Sequence, residues 1–160
     1  MICAYSLNKI IGNKNKLPWV SKIDLKWFYL NTFGKIVVMG YNTYLSLNKK
    51  PLYGRKNIVI TNFHKNNIDR SKFKVLFTTN QIVNLSKRKK EIIIIGGAKT
   101  YKSFGKYYNK IYITRIYKFF NGDTRFPINI KYENWDVIFN KYVYDNINNL
   151  FLNFKILKKK

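Results

Sequence analysis

One cysteine, one histidine, three prolines and seven acids are all that this 160-residue chain holds of those residue types, and each scarcity removes a class of chemistry. Cys3 alone supports no disulfide framework and no thiolate metal cluster, and is expected as a small buried apolar side chain. His64 alone leaves no basis for a His-based metal site or for Ser-His-Asp or Cys-His catalysis. No apolar run approaches membrane-spanning length, and Met1-Ile2-Cys3-Ala4-Tyr5 is too short and uncharged for a signal peptide. A reducing, cytoplasmic setting without membrane attachment is expected.

Negative charge is so scarce that the net charge is +24. That value alone suggests a polyanion partner. Against it, the basic residues are spread along the chain and Lys far outnumbers Arg, alongside abundant Asn, Ile, Tyr and Phe. These residues share AT-rich codons, so codon bias produces the composition without any such partner. A basic nucleic-acid-binding module stays open as the alternative reading, and Lys158-Lys159-Lys160 is expected to be a solvated tail.

What is present is a core: 46% hydrophobic residues, 18% aromatic, in a length suited to one domain over residues 1–160. Ile2–Tyr5, Ile36–Met39, Asn57–Thr61 and Ile92–Ile95 read as strands, and the continuous apolar runs among them imply burial on both faces in a parallel sheet. Helices are expected at Asn42–Leu47, Asn80–Lys87 and Lys99–Tyr107, which gives an α/β fold. The last third changes to strands at Lys110–Ile116, Trp135–Tyr142 and Leu150–Leu157, with Asp145–Asn149 turning the final pair into an antiparallel hairpin. Asn8–Lys16 reads as a flexible polar loop.

The chemistry centres on Leu17–Phe28, where Asp24 is an acid set among apolar and aromatic neighbours. Ser21-x-x-Asp24 has the spacing of a helix start with Ser21 as N-cap. Asp24 and Phe28, four apart, share a helix face, and a carboxyl kept dry there has its pKa raised. Three strands end in small or hydroxylated residues: Met39-Gly40-x-x-Thr43, Ile60-Thr61-Asn62 and Ile95-Gly96-Gly97-Ala98. Such ends are where open α/β sheets bind ligands, although the G-x-G-x-x-G fingerprint is absent. Arg55, one of five arginines, suits bidentate recognition of a carboxylate or phosphate.

In order and spacing, the chain resembles dihydrofolate reductases of the short bacterial type. The matching pieces are Ile11-Gly12, Leu17-Pro18-Trp19, Asp24-x-x-Trp27-Phe28, Val38-Met39-Gly40-x-x-Thr43, Leu52-x-x-Arg55-x-Asn57, Ile95-Gly96-Gly97-x-x-x-Tyr101, Tyr112-x-Thr114 and Gly122-Asp123-Thr124-x-Phe126-Pro127. The expected fold is a single α/β domain whose central, mostly parallel eight-stranded sheet has an antiparallel C-terminal strand and about four flanking helices.

The resemblance implies hydride transfer from NADPH to C6 of 7,8-dihydrofolate with protonation at N5. Asp24 falls on the acid that binds the pterin and promotes protonation, Thr114 on the hydroxyl that supports it, and Trp19 on the residue that helps order a water. Ile2, Ala4, Leu25, Phe28, Ser46, Leu52, Ile95 and Tyr101 fall on pocket-lining positions, and Arg55 on the clamp for the glutamate α-carboxylate. For the cofactor the matching positions are Ala4, Ile11, Gly12, Asn15, Lys16, Leu17, Gly40, Asn42 and Thr43. They continue with Thr61 and Asn62 near the 2′-phosphate, then Ile95, Gly96, Gly97, Ala98, Lys99, Thr100 and Tyr101. The family's Gly-Gly bond is cis. Asn8–Lys22 corresponds to a mobile lid, held by the loop containing Gly122-Asp123. The substrate is thus a small molecule, with a monomer and no specific nucleic-acid partner expected. A compositionally eroded, weakly active reductase is the remaining alternative. Three departures stand out: Tyr41 where many relatives carry an Arg for the cofactor's phosphates, one extra residue at Asn48-Lys49-Lys50, and a first strand that starts almost at Met1 and is expected to fray.

Overall fold

The computed structural model describes residues 1–61, 68–88 and 91–160. Strand β1 (Ile2–Ser6) leads into the short β2 (Ile10–Gly12) and helix α1 (Lys22–Thr32). Then come β3 (Ile36–Gly40), α2 (Tyr41–Ser46), β4 (Lys56–Ile60), β5 (Lys74–Leu76), α3 (Thr79–Arg88), β6 (Ile92–Gly96) and α4 (Ala98–Ser103). The chain ends in β7 (Lys110–Ile116), β8 (Thr124–Arg125), β9 (Trp135–Asp145) and β10 (Leu150–Lys159).

The expected α/β architecture is borne out: parallel pairing in the first part, with β10 antiparallel to both β7 and β9. Eight of the strands form two four-stranded ladders, β5-β4-β3-β6 and β1-β7-β10-β9, and β6 lies against β1 where the two meet. The β2-β8 pair stands apart. That meeting line is the place where strand order reverses, the usual location of a ligand cleft in a doubly wound sheet.

Burial follows from the sequence pattern. Val37, Val38 and Met39 have no measurable exposure, as expected of a central strand covered on both faces. Cys3 and Tyr5 of β1 pack with Ile111 and Ile113 of β7 on the face covered by α3 and α4. Ile2 and Ala4 point the other way, toward the clusters that hold Trp27 of α1. Alternation along a strand enforces that division.

Four expectations change. Strand β1 does not fray: Met1 is buried, its amino group donates to the Lys110 carbonyl at 2.8 Å, and its carbonyl accepts from Tyr112 N–H at 2.8 Å. The terminal lysines are no loose tail, since Lys158 and Lys159 extend β10 and pair with Asp136 and Trp135. Only their side chains are solvated. The Asn8–Lys16 loop contains β2 and a tight turn in which Asn13 and Lys16 exchange 2.9 Å backbone bonds. Lys14 and Asn15 are both left-handed (φ 48° and 60°), as a type I′ turn requires. The helix expected over Lys99–Tyr107 stops at Ser103 and resumes as a 3-10 turn at Gly105–Tyr107.

Candidate active site

Asp24 is built into the first turn of α1, where Ser21 Oγ caps the helix by accepting from Asp24 N–H at 3.2 Å. The capping and burial readings are therefore both correct. The acid is 6% exposed, Trp19 5% and Thr114 1%. Burial pushes the Asp24 carboxyl above its ordinary range, while the Thr114 hydroxyl and then the Trp19 indole favour the charged form and limit the rise. The Trp19 N–H falls short of a direct hydrogen bond, and Nε1 is buried without a partner. A buried donor of this kind beside a buried acid fits a site completed by ligand or water. Thr114 is placed by the sheet: β7 pairs it with Ala4 of β1 on one side and Phe154 of β10 on the other.

Ser21 also holds the start of α1 to the end of β9. Its hydroxyl, with the Asn148 side chain and backbone N–H, keeps the Asp145 carboxyl below the usual range. Asp145 was not singled out from sequence, because the contact joins residues 124 positions apart.

Arg55 stacks its guanidinium 5.1 Å from the Tyr29 ring centroid and 5.6 Å from that of Phe28, on the same helix as Asp24. Its Nε is buried without a partner. The loop that delivers it is fixed by Asn57, whose Oδ1 accepts from Leu52 N–H at 3.0 Å and whose Nδ2 donates to the Leu52 and Arg55 carbonyls at 3.0 Å each. Asn57 is a positioning residue that its motif contained but its chemistry did not announce. Leu25, next to Asp24 on α1, remains 53% exposed.

Across the meeting line, Gly40 and Gly97 stand at the N-termini of α2 and α4 with no side-chain cap. A Cβ on Gly40 would strike Thr100 Oγ1, and one on Gly96 would lie 3.2 Å from Thr43 Oγ1. The Gly96–Gly97 bond is cis. This is a cradle of backbone N–H groups and hydroxyls that any side chain would fill, which suits a pyrophosphate. Tyr101 secures it by donating to the Ile2 carbonyl at 2.8 Å, pinning α4 to β1. Burial raises the pKa of that phenol well above its ordinary value, so the donor keeps its proton into the alkaline range. Gly96 has φ +132°, which L side chains rarely adopt. Gly96→Ala is expected to cost about 1–3 kcal/mol of stability and to weaken NADPH binding more than dihydrofolate binding, measured by urea unfolding and ligand titration.

The remaining expected positions divide. Thr61 is buried at the end of β4, and Asn62 lies outside the described residues, as does His64. Ser46 turns its hydroxyl back onto the Thr43 carbonyl at 2.7 Å on the exposed side of α2. Asn42 and Lys99 are exposed. Tyr41 is half-buried with its ring 5.8 Å from that of Tyr44. Asn48 and Lys49 are consecutive left-handed residues (φ 52° and 59°) that absorb the extra length there.

Ile11, Gly12, Asn15, Lys16 and Leu17 sit on β2 and its turn, tied to the β7–β8 connection. Lys14 N–H donates to Asp123 Oδ2 at 2.8 Å, Phe126 N–H to the Lys9 carbonyl at 2.7 Å, and Asn8 Nδ2 to the Phe120 carbonyl at 2.9 Å. Gly122 is packed so tightly that a Cβ would meet Ile10 Cγ2 and the Gly12 carbonyl. Trp19, 5.4 Å from Phe120 between ring centroids, closes this segment over Asp24.

A mixed α/β sheet with a glycine-lined cradle and a buried acid on opposite sides of its switch point suits an enzyme that binds a nucleotide. The family model for dihydrofolate reductase matches residues 1–159. The chain is 41% identical over 141 residues to the dihydrofolate reductase of Buchnera aphidicola from Acyrthosiphon pisum, covering 88% of this chain and 86% of that one. It is 36% identical over 145 residues to the Haemophilus influenzae enzyme, covering 89% and 86%. Among solved structures, the dihydrofolate reductase of Enterococcus faecalis complexed with NADP(H) and RAB-propyl superimposes with a TM-score of 0.91 at 26% identity, over 99% of this chain and 94% of that one. This chain belongs to the dihydrofolate reductase family. It is an oxidoreductase of the NADPH-dependent kind that reduces dihydrofolate to tetrahydrofolate.

Proposed function

We propose that residues 1–160 act as one domain, monomeric and cytoplasmic, in which Asp24 binds the pterin and promotes its protonation while Arg55 binds the glutamate tail. The burial of Asp24 beside Thr114 and an unpartnered Trp19 Nε1 carries this reading. An ionised Asp24 accepts from the N3 and 2-amino groups of the pterin, which anchors the ring edge-on. The same carboxyl, with its pKa raised, holds a proton nearer neutral pH than an exposed acid would. The Trp19 N–H is free to hold a water through which that proton reaches N5. Ile2, Ala4, Leu25, Phe28, Leu52 and Ile95 surround the substrate with apolar surface.

The glycine cradle fits NADPH: Gly40, Thr43, Gly96, Gly97, Ala98 and Thr100 hold the pyrophosphate, with Thr61 toward the 2′-phosphate. When bound, NADPH supplies the hydride to C6. With Tyr41 in place of an arginine, Lys99 and the +24 field favour the phosphorylated cofactor over NADH.

Purified protein is expected to oxidise NADPH only when dihydrofolate is present, at the rate of a working enzyme rather than an eroded one. Correctly folded protein without turnover would overturn the proposal. Sedimentation at micromolar concentration is expected to give a single 19.2 kDa species.

The segment Asn8–Lys22 acts as a lid, and Asp123 is its latch. The Lys14 N–H and then the Thr124 hydroxyl hold the Asp123 carboxyl below its usual range. Asp123→Ala is expected to slow the hydride step about three- to tenfold with little change in dihydrofolate affinity, measured by single-turnover NADPH oxidation.

A further inference from the structure

We propose that the open end of the sheet face formed by β7, β9 and β10 is a binding surface for single-stranded nucleic acid, separate from the reductase cleft. The face lies on the far side of the sheet from Asp24. Thr114 and Phe154 point toward α1, whereas their neighbours Arg115 and Asn153 point away. Register places Asn153 opposite Tyr142 and Phe151 opposite Tyr144 on that far side.

Three rings form a platform there. Tyr142 and Phe151 lie 5.7 Å apart at 28°, and Tyr117 closes the group at 6.2 Å from Tyr142 and 5.7 Å from Phe151. Tyr142 and Phe151 remain 50% and 43% exposed, and Tyr144 beside them 52%. Beneath them Asn153 is fully buried and donates to Asn140 Oδ1 at 2.7 Å and to the Lys141 carbonyl at 3.2 Å, which locks β9 to β10 and holds the rings in place.

Cations border the rings. The Arg115 guanidinium sits 5.3 Å from the Tyr117 centroid, and the Lys155 ammonium 5.4 Å from that of Tyr132, itself 46% exposed. Asp145, at the end of β9, is buried and turned to Asn148, whose side chain reaches it at 3.1 Å. Glu133 follows Tyr132 directly and so borders the Lys155–Tyr132 end of the face, and Asp136 lies at the start of β9.

Charge complementarity names the occupant. The chain carries +24, so a polyanion is drawn to it, and Arg115 and Lys155 place part of that charge beside the rings. Half-exposed rings bordered by cations suit a strand that offers flat bases and phosphates together. The basic and aromatic residues looked scattered in sequence because β7, β9 and β10 bring them together only across the sheet.

The test is fluorescence anisotropy with labelled oligo-dT and oligo-U of about a dozen nucleotides, a length suited to such sites. The paired substitution Tyr142→Ser, Phe151→Ser leaves the charge unchanged. It is expected to weaken binding about tenfold or more. Dihydrofolate reduction by the variant should stay at the wild-type rate, which reports an intact fold and keeps this test apart from the reductase assignment. Tyr142→Phe is expected to bind as the wild type does. Arg115→Gln is expected to flatten the salt slope by about 0.7. The proposal is overturned if the paired variant binds as tightly as wild type, or if duplex DNA or phosphatidylserine vesicles bind as well as the single strands. It is overturned equally if the rings prove to mediate self-association.

Discussion

Asp24→Asn is expected to lower turnover at pH 7 by about a hundredfold to ten-thousandfold, the range for removing a group that promotes proton transfer. Part of that loss should return as pH falls, because a substrate already protonated at N5 no longer needs help. A pH profile of kcat identical in shape to wild type would contradict the role of the acid. The same substitution is expected to stabilise the fold at neutral pH. The folded-state pKa of Asp24 is raised, so the folded protein binds the proton more tightly than the unfolded chain. Stability from this group is then fully present below the unfolded value of about 3.9 and is lost as pH rises through the folded pKa. Above that window wild type carries the cost of a buried carboxylate and the Asn variant does not. Urea unfolding of both proteins at pH 4 and pH 8 checks this: the variant's advantage should appear at the higher pH and shrink at the lower. A variant that is less active but no more stable would mean that the ionised acid is well solvated by its neighbours.

Arg55→Leu is expected to raise KM for dihydrofolate about thirtyfold or more while changing kcat far less. Removing one partner of a desolvated, hydrogen-bonded charge pair costs about 2–5 kcal/mol, and each 1.4 kcal/mol is about tenfold in affinity. The effect should fall on binding because the glutamate carboxylate is remote from C6 and is held equally before and during hydride transfer. Arg55→Lys should recover little, since a single ammonium cannot reproduce a fork stacked on Tyr29 and Phe28. A substrate lacking the glutamate should be bound equally by wild type and variant. If Arg55→Leu lowers kcat for that truncated substrate too, Arg55 supports the fold of the cleft rather than the tail of the ligand.

Both residues were legible in the sequence, for different reasons. Asp24 announced itself because an acid beside Trp27 and Phe28 is expensive to bury, and Ser21 three residues earlier supplied a helix to carry it. Arg55 stood out against a lysine-rich background. The roles of the residues that hold these two were not legible, since Asn57 is an ordinary strand residue and Asp145 an ordinary turn residue until their partners are known. The same holds for Lys158 and Lys159, which read as a tail because hydration explains exposed lysines, while their backbone pairs with β9.

By itself the sequence determined the seven longer strands, the helices, the buried faces and the acid, but not the short β2, β5 and β8, because periodicity and the cost of burying charge act locally or within a few residues. Tertiary structure alone decided that the strands form two ladders meeting at β6 and β1, that Tyr101 bridges that line to Ile2, and that Tyr117, Tyr142 and Phe151 gather around one another. Those outcomes depend on which strands pair and in what register, and pairing is set by the burial of whole faces at once.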